Sequence, residues 1–189
     1  MIQLKQYQEE TLKAVRVYLE KLAEMRAEVA GLKGRLDWAQ AAWDEVKGGP
    51  YFPRRNGLGH PLPSFCLKIP TGGGKTLLAA KTIDLANTHF RKSNRGLVLW
   101  IVPTTQIYNQ TYSALKDRDH PYRQTLDNAS GGRTLILERT QQFAPSDIEQ
   151  NLCGLMLMLP AAARQTKETL RMSRWVRPST VLPLWLRAT

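Results

Sequence analysis

Ile69-Pro70-Thr71-Gly72-Gly73-Gly74-Lys75-Thr76 is the stretch on which the fold turns. Three successive glycines carry no Cβ atoms, so the backbone can curl round a phosphate chain and aim its amides inward. The apolar run from Phe65 to Ile69 reads as a short strand, and Lys75 to Phe90 reads as a helix. A helix starting on such a loop adds unpaired amides and the positive end of its dipole. In that setting Lys75 reaches the β- and γ-phosphates, and Thr76 offers a hydroxyl to Mg²⁺. The expected ATP site is therefore Thr71, Gly72, Gly73, Gly74, Lys75 and Thr76, with ATP and Mg²⁺ as cofactors and Thr76 on the metal.

Outward from the loop, strands and helices alternate. Leu97 to Val102 is a wholly apolar strand, which suggests burial on both faces. Thr104 to Lys116 reads as a helix, Thr134 to Leu137 as a strand, and Ala161 to Arg174 as a helix. Leu152 to Leu159 fits a strand or a buried helix, which periodicity does not separate. Strand-helix alternation implies an α/β fold with a parallel sheet, right-handed crossovers and helices on both faces.

Residues 4–47 read as helical. Leu12, Val15, Leu19, Leu22, Val29, Leu32 and Leu36 recur at spacings of three, four and seven. The seam fits either a solvated helical hairpin packed on the body or a dimerising coiled coil. Gly31 and Gly34 mark a break, and 37–47 fits a further short helix. Residues 48–63 hold four Pro and four Gly in sixteen positions and read as a linker without regular structure. Arg54 and Arg55 within it read as a solvated pair.

The chain has 189 residues, 27 Lys+Arg against 16 Asp+Glu, and a net charge of +11. Residues 1–47 are neutral, with eight basic and eight acidic side chains; 48–168 carry fifteen and eight; 169–189 carry four Arg and no acid. The excess favours an anionic partner, nucleic acid foremost. The composition excludes a wholly disordered or collagenous chain. The longest apolar stretch, residues 152–163, is twelve residues and contains Pro160, well short of the roughly 20 a membrane span needs. No secretory signal is visible at the polar start. Cys66 and Cys153 lack metal spacing, which fits a reducing, cytoplasmic setting.

The glycine loop departs from the strict phosphate-loop pattern, whose first Gly would fall at Ile69. Pro70-Thr71-Gly72-Gly73-Gly74-Lys75-Thr76 instead resembles motif I of superfamily 2 helicases and translocases. Pro103, Thr104, Ile107 and Gln110 are similar to motif Ia of that superfamily, with Thr105 and Gln106 replacing its usual Arg-Glu pair. The resemblance implies that Pro103, Thr104 and Gln110 touch the DNA backbone, positioning it without reading sequence. On the residues alone, Thr104 is equally an N-capping Thr. Leu4-Lys5-Gln6-Tyr7-Gln8 resembles the Tyr-Gln element ahead of motif I, which implies an adenine contact for Gln8. Glu138, at a strand end, reads as a surface residue because Arg139 follows it.

From residue 4 to about 172 the chain resembles the restriction subunit of type III restriction enzymes. Trp100-Ile101-Val102-Pro103, His120-Pro121-Tyr122-Arg123, Phe143-Ala144-Pro145-Ser146-Asp147 and the segment 151–171 carry the likeness. It implies an incomplete RecA-like P-loop domain with an N-terminal helical extension, in a subunit that translocates on DNA, carries a nuclease domain and partners a modification (methyltransferase) subunit. The chain departs from that family in lacking an Asp-Glu-x-His or Asp-Glu-Ala-Asp box, the later coupling motif and the second RecA-like domain, so nucleotide binding is expected without turnover.

The expected organisation is a helical extension over 1–47, a linker over 48–63, a partial ATP-binding domain over 64–172, and an atypical basic tail over 173–189. The tail reads either as out of frame, through a frameshift or truncation, or as a genuine short basic tail. The rival readings are a non-catalytic DNA- or partner-binding module and a non-functional truncated product.

Overall fold

The computed structural model describes residues 3–29, 37–158 and 185–186, the last pair by backbone alone. They fall into two compact units: the residues up to Lys92 with Trp185–Leu186, and those from Ser93 to Met158.

In the first unit, α1 spans Gln6–Val29 and α2 spans Trp38–Val46. Leu, Ala, Glu, Lys and Arg dominate α1, all strong helix formers. Its inward stripe is Gln8, Val15, Tyr18, Leu19, Leu22 and Met25. Leu19 and Leu22 are fully buried, each contributing about 2–3 kcal/mol of apolar transfer. The outward face carries Arg16–Glu20 and Lys21–Glu24 pairs, both at 3.0 Å. Asp37 caps α2, its Oδ1 accepting from the Gln40 amide at 3.2 Å. The helices pack as a hairpin: Trp43 meets Tyr18 edge-on at 5.5 Å, and Lys21 also reaches Glu45. α1 further touches α3, Lys75–Leu85, and the wide π-helical turn Ala86–Arg91 that continues it. The apolar seam is thus used inside the unit, as the packed-hairpin reading requires. Gly31, Gly34, Leu32 and Leu36 lie outside the described residues.

The strand ahead of the glycine loop is shorter than expected. Only Ser64–Phe65 (β1) forms a ladder, parallel to Trp185–Leu186 (β5). From Phe65 to Ile69 exposure still alternates, with Cys66 and Lys68 outward and Ile69 buried. The strand pattern is present, but among the described residues no neighbour extends the ladder beyond Phe65. Arg55 is likewise not simply solvated: its guanidinium donates to the Gly59 carbonyl at 2.8 Å and approaches Asp37 at 3.8 Å.

In the second unit, β2 (Gly96–Val102), α4 (Thr105–Lys116), α5 (Pro121–Ser130), β3 (Thr134–Glu138), α6 (Pro145–Gln150) and β4 (Leu152–Met158) follow in order. The sheet is parallel with order β2-β4-β3. The crossover from β2 to β3 steps over the place of β4, and the next steps back. Right-handed connections in opposite directions put their helices on opposite faces. Ile148 of α6 accordingly joins Leu137, Cys153, Leu155 and Leu157 on one face. On the other, the Thr105 hydroxyl of α4 donates to Met158 Sδ at 3.5 Å, and Leu115, Leu126 and Ala129 of α4 and α5 are buried. The architecture is an incomplete RecA-like α/β domain with an N-terminal helical extension.

Pairing settles 152–158 as strand. β4 is the centre, buried along almost its whole length, whereas β2 is only half-buried through its middle. The expected two-sided burial of β2 fails because a single neighbour flanks it among the described residues. Two helices were not foreseen, α5 and α6. Pro121 opens α5 and Gly131, in the left-handed region at φ 65°, closes it. The helix expected over 161–174 and the tail over 173–189 lie outside the described residues, save the β5 backbone.

Candidate nucleotide-binding site

The glycine loop begins with a tight turn. The Gly73 amide donates to the Pro70 carbonyl at 3.0 Å. A Cβ on Gly73 would sit 2.7 Å from Ile69 Cγ2 and 2.8 Å from the Pro70 oxygen, so only glycine closes this turn. Gly74 is the N-cap of α3, at φ 80° and with no side-chain cap. A Cβ there would meet Gln8 Nε2 at 2.6 Å. The helical ladder starts at the Leu78 amide on the Gly74 carbonyl, 2.9 Å, so the Lys75 and Thr76 amides precede it.

Thr71 and Gly72 are exposed; Gly74, Lys75 and Thr76 are half-exposed; Gly73 is buried. Gln8 belongs to the same place. It is 6% exposed, and its Nε2 donates to the Gly73 carbonyl at 2.9 Å. Its Oε1 accepts from the Lys5 amide at 3.0 Å. Tyr7, quoted in the Tyr-Gln element but given no role there, donates its hydroxyl to the same Gly73 carbonyl at 2.9 Å. The structure therefore gathers all seven expected ATP-site residues in one unit, with Gln8 gripping the loop's backbone.

The donor set fits a triphosphate with its metal. The Gly73 carbonyl, which would repel an anion, is engaged by two donors from α1. Amides at a helix start, a lysine and a threonine hydroxyl are the group types such a loop offers to phosphate and metal.

The expected DNA contacts lie in the other unit. Pro103 and Thr104 stand exposed at the carboxyl end of β2, and Gln110 is exposed on α4. The carboxyl ends of parallel strands are where open α/β sheets bind ligands. Thr104 is also the N-cap of α4, its Oγ1 accepting from the Ile107 amide at 3.3 Å. Capping uses one lone pair and leaves the hydroxyl proton to donate.

Glu138 is not the plain surface residue expected. It is half-buried and lies near Tyr112; burial first, then this carboxylate, holds the Tyr112 phenol above its usual range. Tyr112 stacks on Tyr108 at 5.9 Å, and the Lys116 ammonium lies 4.9 Å from its ring centre.

A strand, a glycine turn and a helix opening on Lys-Thr in one unit, and a parallel sheet with crossover helices in the other, define a P-loop α/β protein. The family model described as "Type III restriction enzyme, res subunit" matches residues 1–158, and the chain belongs to that family, with a helicase-like ATP-dependent function. No curated protein and no solved structure matches it. Among the described residues no helix is long and apolar enough to cross a membrane.

Proposed function

We propose that the chain binds Mg·ATP on Thr71, Gly72, Gly73, Gly74, Lys75, Thr76 and Gln8, and contacts the DNA backbone through Pro103, Thr104 and Gln110. It does so as the N-terminal part of a DNA translocase of the type III restriction kind, with a modification subunit as partner. The observation that carries this reading is the loop geometry: a left-handed Gly74 capping α3 and a Gly73 carbonyl engaged from α1.

Lys75 would lie on the β- and γ-phosphates and Thr76 on Mg²⁺, while the loop amides carry the rest of the charge. A bound Mg²⁺ would supply charge neutralisation at the phosphates. The sequence holds no Asp-Glu-x-His box to position an attacking water. Binding without appreciable turnover is the expected behaviour of this chain.

Isothermal titration with Mg·ATP tests the reading. Lys75→Ala should weaken binding at least tenfold, and hydrolysis should stay near background with or without DNA. Wild-type protein that ignores millimolar Mg·ATP would refute it. Salt-dependent DNA binding indifferent to ATP and to Lys75→Ala would point instead to a basic binding module.

A further inference from the structure

The peptide between Gly73 and Gly74 is the weak point of the loop. Neither residue has a Cβ, so the peptide plane can rotate with little steric resistance. In a trans peptide the C=O and N–H point in opposite directions. Rotation would therefore turn a carbonyl toward a bound anion and take an amide away from it. A two-lone-pair carbonyl can be saturated by two donors, and here it is. The Tyr7 hydroxyl and the Gln8 amide each donate to it at 2.9 Å, from residues 66 and 65 positions away. Both donors are themselves anchored. Gln8 Oε1 is taken by the Lys5 amide, and the Tyr7 hydroxyl also lies 3.5 Å from Gln8 Nε2, which donates toward it.

We propose that Tyr7 is a positioning residue for phosphate binding: with Gln8 it locks the Gly73–Gly74 peptide in the orientation whose N–H, not C=O, serves the anion. The inference rests on the ATP-site reading for its ligand but not for its geometry. Tyr7 touches no substrate; it acts through one backbone carbonyl. Gln8 braces the same carbonyl through its Nε2, in addition to any contact it makes with the nucleotide.

Tyr7→Phe keeps the ring and removes one donor. ¹⁵N relaxation dispersion on the ligand-free protein should show new exchange at the Gly73, Gly74 and Lys75 amides, larger still in Tyr7→Phe/Gln8→Leu. Affinity for Mg·ATP and for inorganic tripolyphosphate should each fall about fivefold, the loss expected of one part-buried hydrogen bond, while the melting temperature without ligand falls by only a few degrees. Equal losses for the two ligands separate a loop-positioning role from an adenine contact. Quiet loop amides in Tyr7→Phe would overturn the proposal, as would a loss seen with ATP and not with tripolyphosphate. If wild-type protein bound neither ligand, the ATP reading would fall, and the dispersion result would still decide the lock.

Discussion

Arg123 sits on α5 with its side chain 9% exposed and reaches three acceptors on three elements. Nε donates to Asp127 Oδ1 at 2.9 Å, one terminal nitrogen to the Leu115 carbonyl at 3.2 Å, and the other to the Thr134 carbonyl at 2.9 Å. The Leu115 carbonyl lies in the last turn of α4, where no intrahelical donor remains. Arg123→Ala therefore strands a helix-end carbonyl, a strand carbonyl and a carboxylate at once. Breaking a buried charged pair costs about 3–5 kcal/mol, and hydrogen bonds to charged groups about 1.5–3 each. The Asp127 side chain is 25% exposed and can recover water, so the lower end, about 3 kcal/mol, is expected. Arg123→Lys should recover less than half, because an ammonium cannot span three divergent acceptors. Urea unfolding followed at the β3 and β4 amides by hydrogen exchange isolates the unit concerned. A loss below about 1 kcal/mol for Arg123→Ala, at unchanged m-value, would refute the reasoning.

Gly74→Ala combines about 1–2 kcal/mol of left-handed strain with a Cβ 2.6 Å from Gln8 Nε2; nucleotide affinity should drop at least tenfold by titration, and an unchanged value would contradict the loop geometry. Burial, with a smaller contribution from Asp147, pushes the Cys153 thiol up to about 11. The unfolded thiol ionises near 9 and the folded one does not, so its share of stability is full below about pH 9 and is lost as pH rises to 11. Denaturant midpoints across that range should fall more steeply in wild type than in Cys153→Ala, and parallel slopes would argue against it. Leu22, fully buried, should cost about 2–5 kcal/mol as Leu22→Ala. Half-buried Leu12 should cost clearly less by the same melts.

What the sequence made legible follows from how local each cause is. The runs at 97–102 and 152–158 are apolar throughout, and both are strands. Their difference in burial was not legible, because it depends on which one stands between two neighbours. The 65–69 segment has strand periodicity, yet two residues pair, since a ladder needs a partner that periodicity does not supply. α5 offers few apolar positions, and its real signals were the bracketing Pro121 and Gly131. At the candidate site, the glycines and Lys75-Thr76 announce themselves within eight residues. Tyr7 and Arg123 do not. Each stands in a stretch that carries the family likeness, but each acts through backbone carbonyls brought to it by the fold, and no local pattern announces that role.

The central place of β4 bears on how the protein is made. β2 and β3 are each hydrogen-bonded to β4 and not to each other. As the chain leaves the ribosome, both flanking strands exist before the strand that joins them. Until Leu152–Met158 emerges, the second unit has helices and two unpaired strands but no sheet. Its folding is therefore gated by its last described strand, and the exposed edges of β2 and β3 must wait in that interval. A nascent chain halted before Leu152 should be the species most in need of a chaperone.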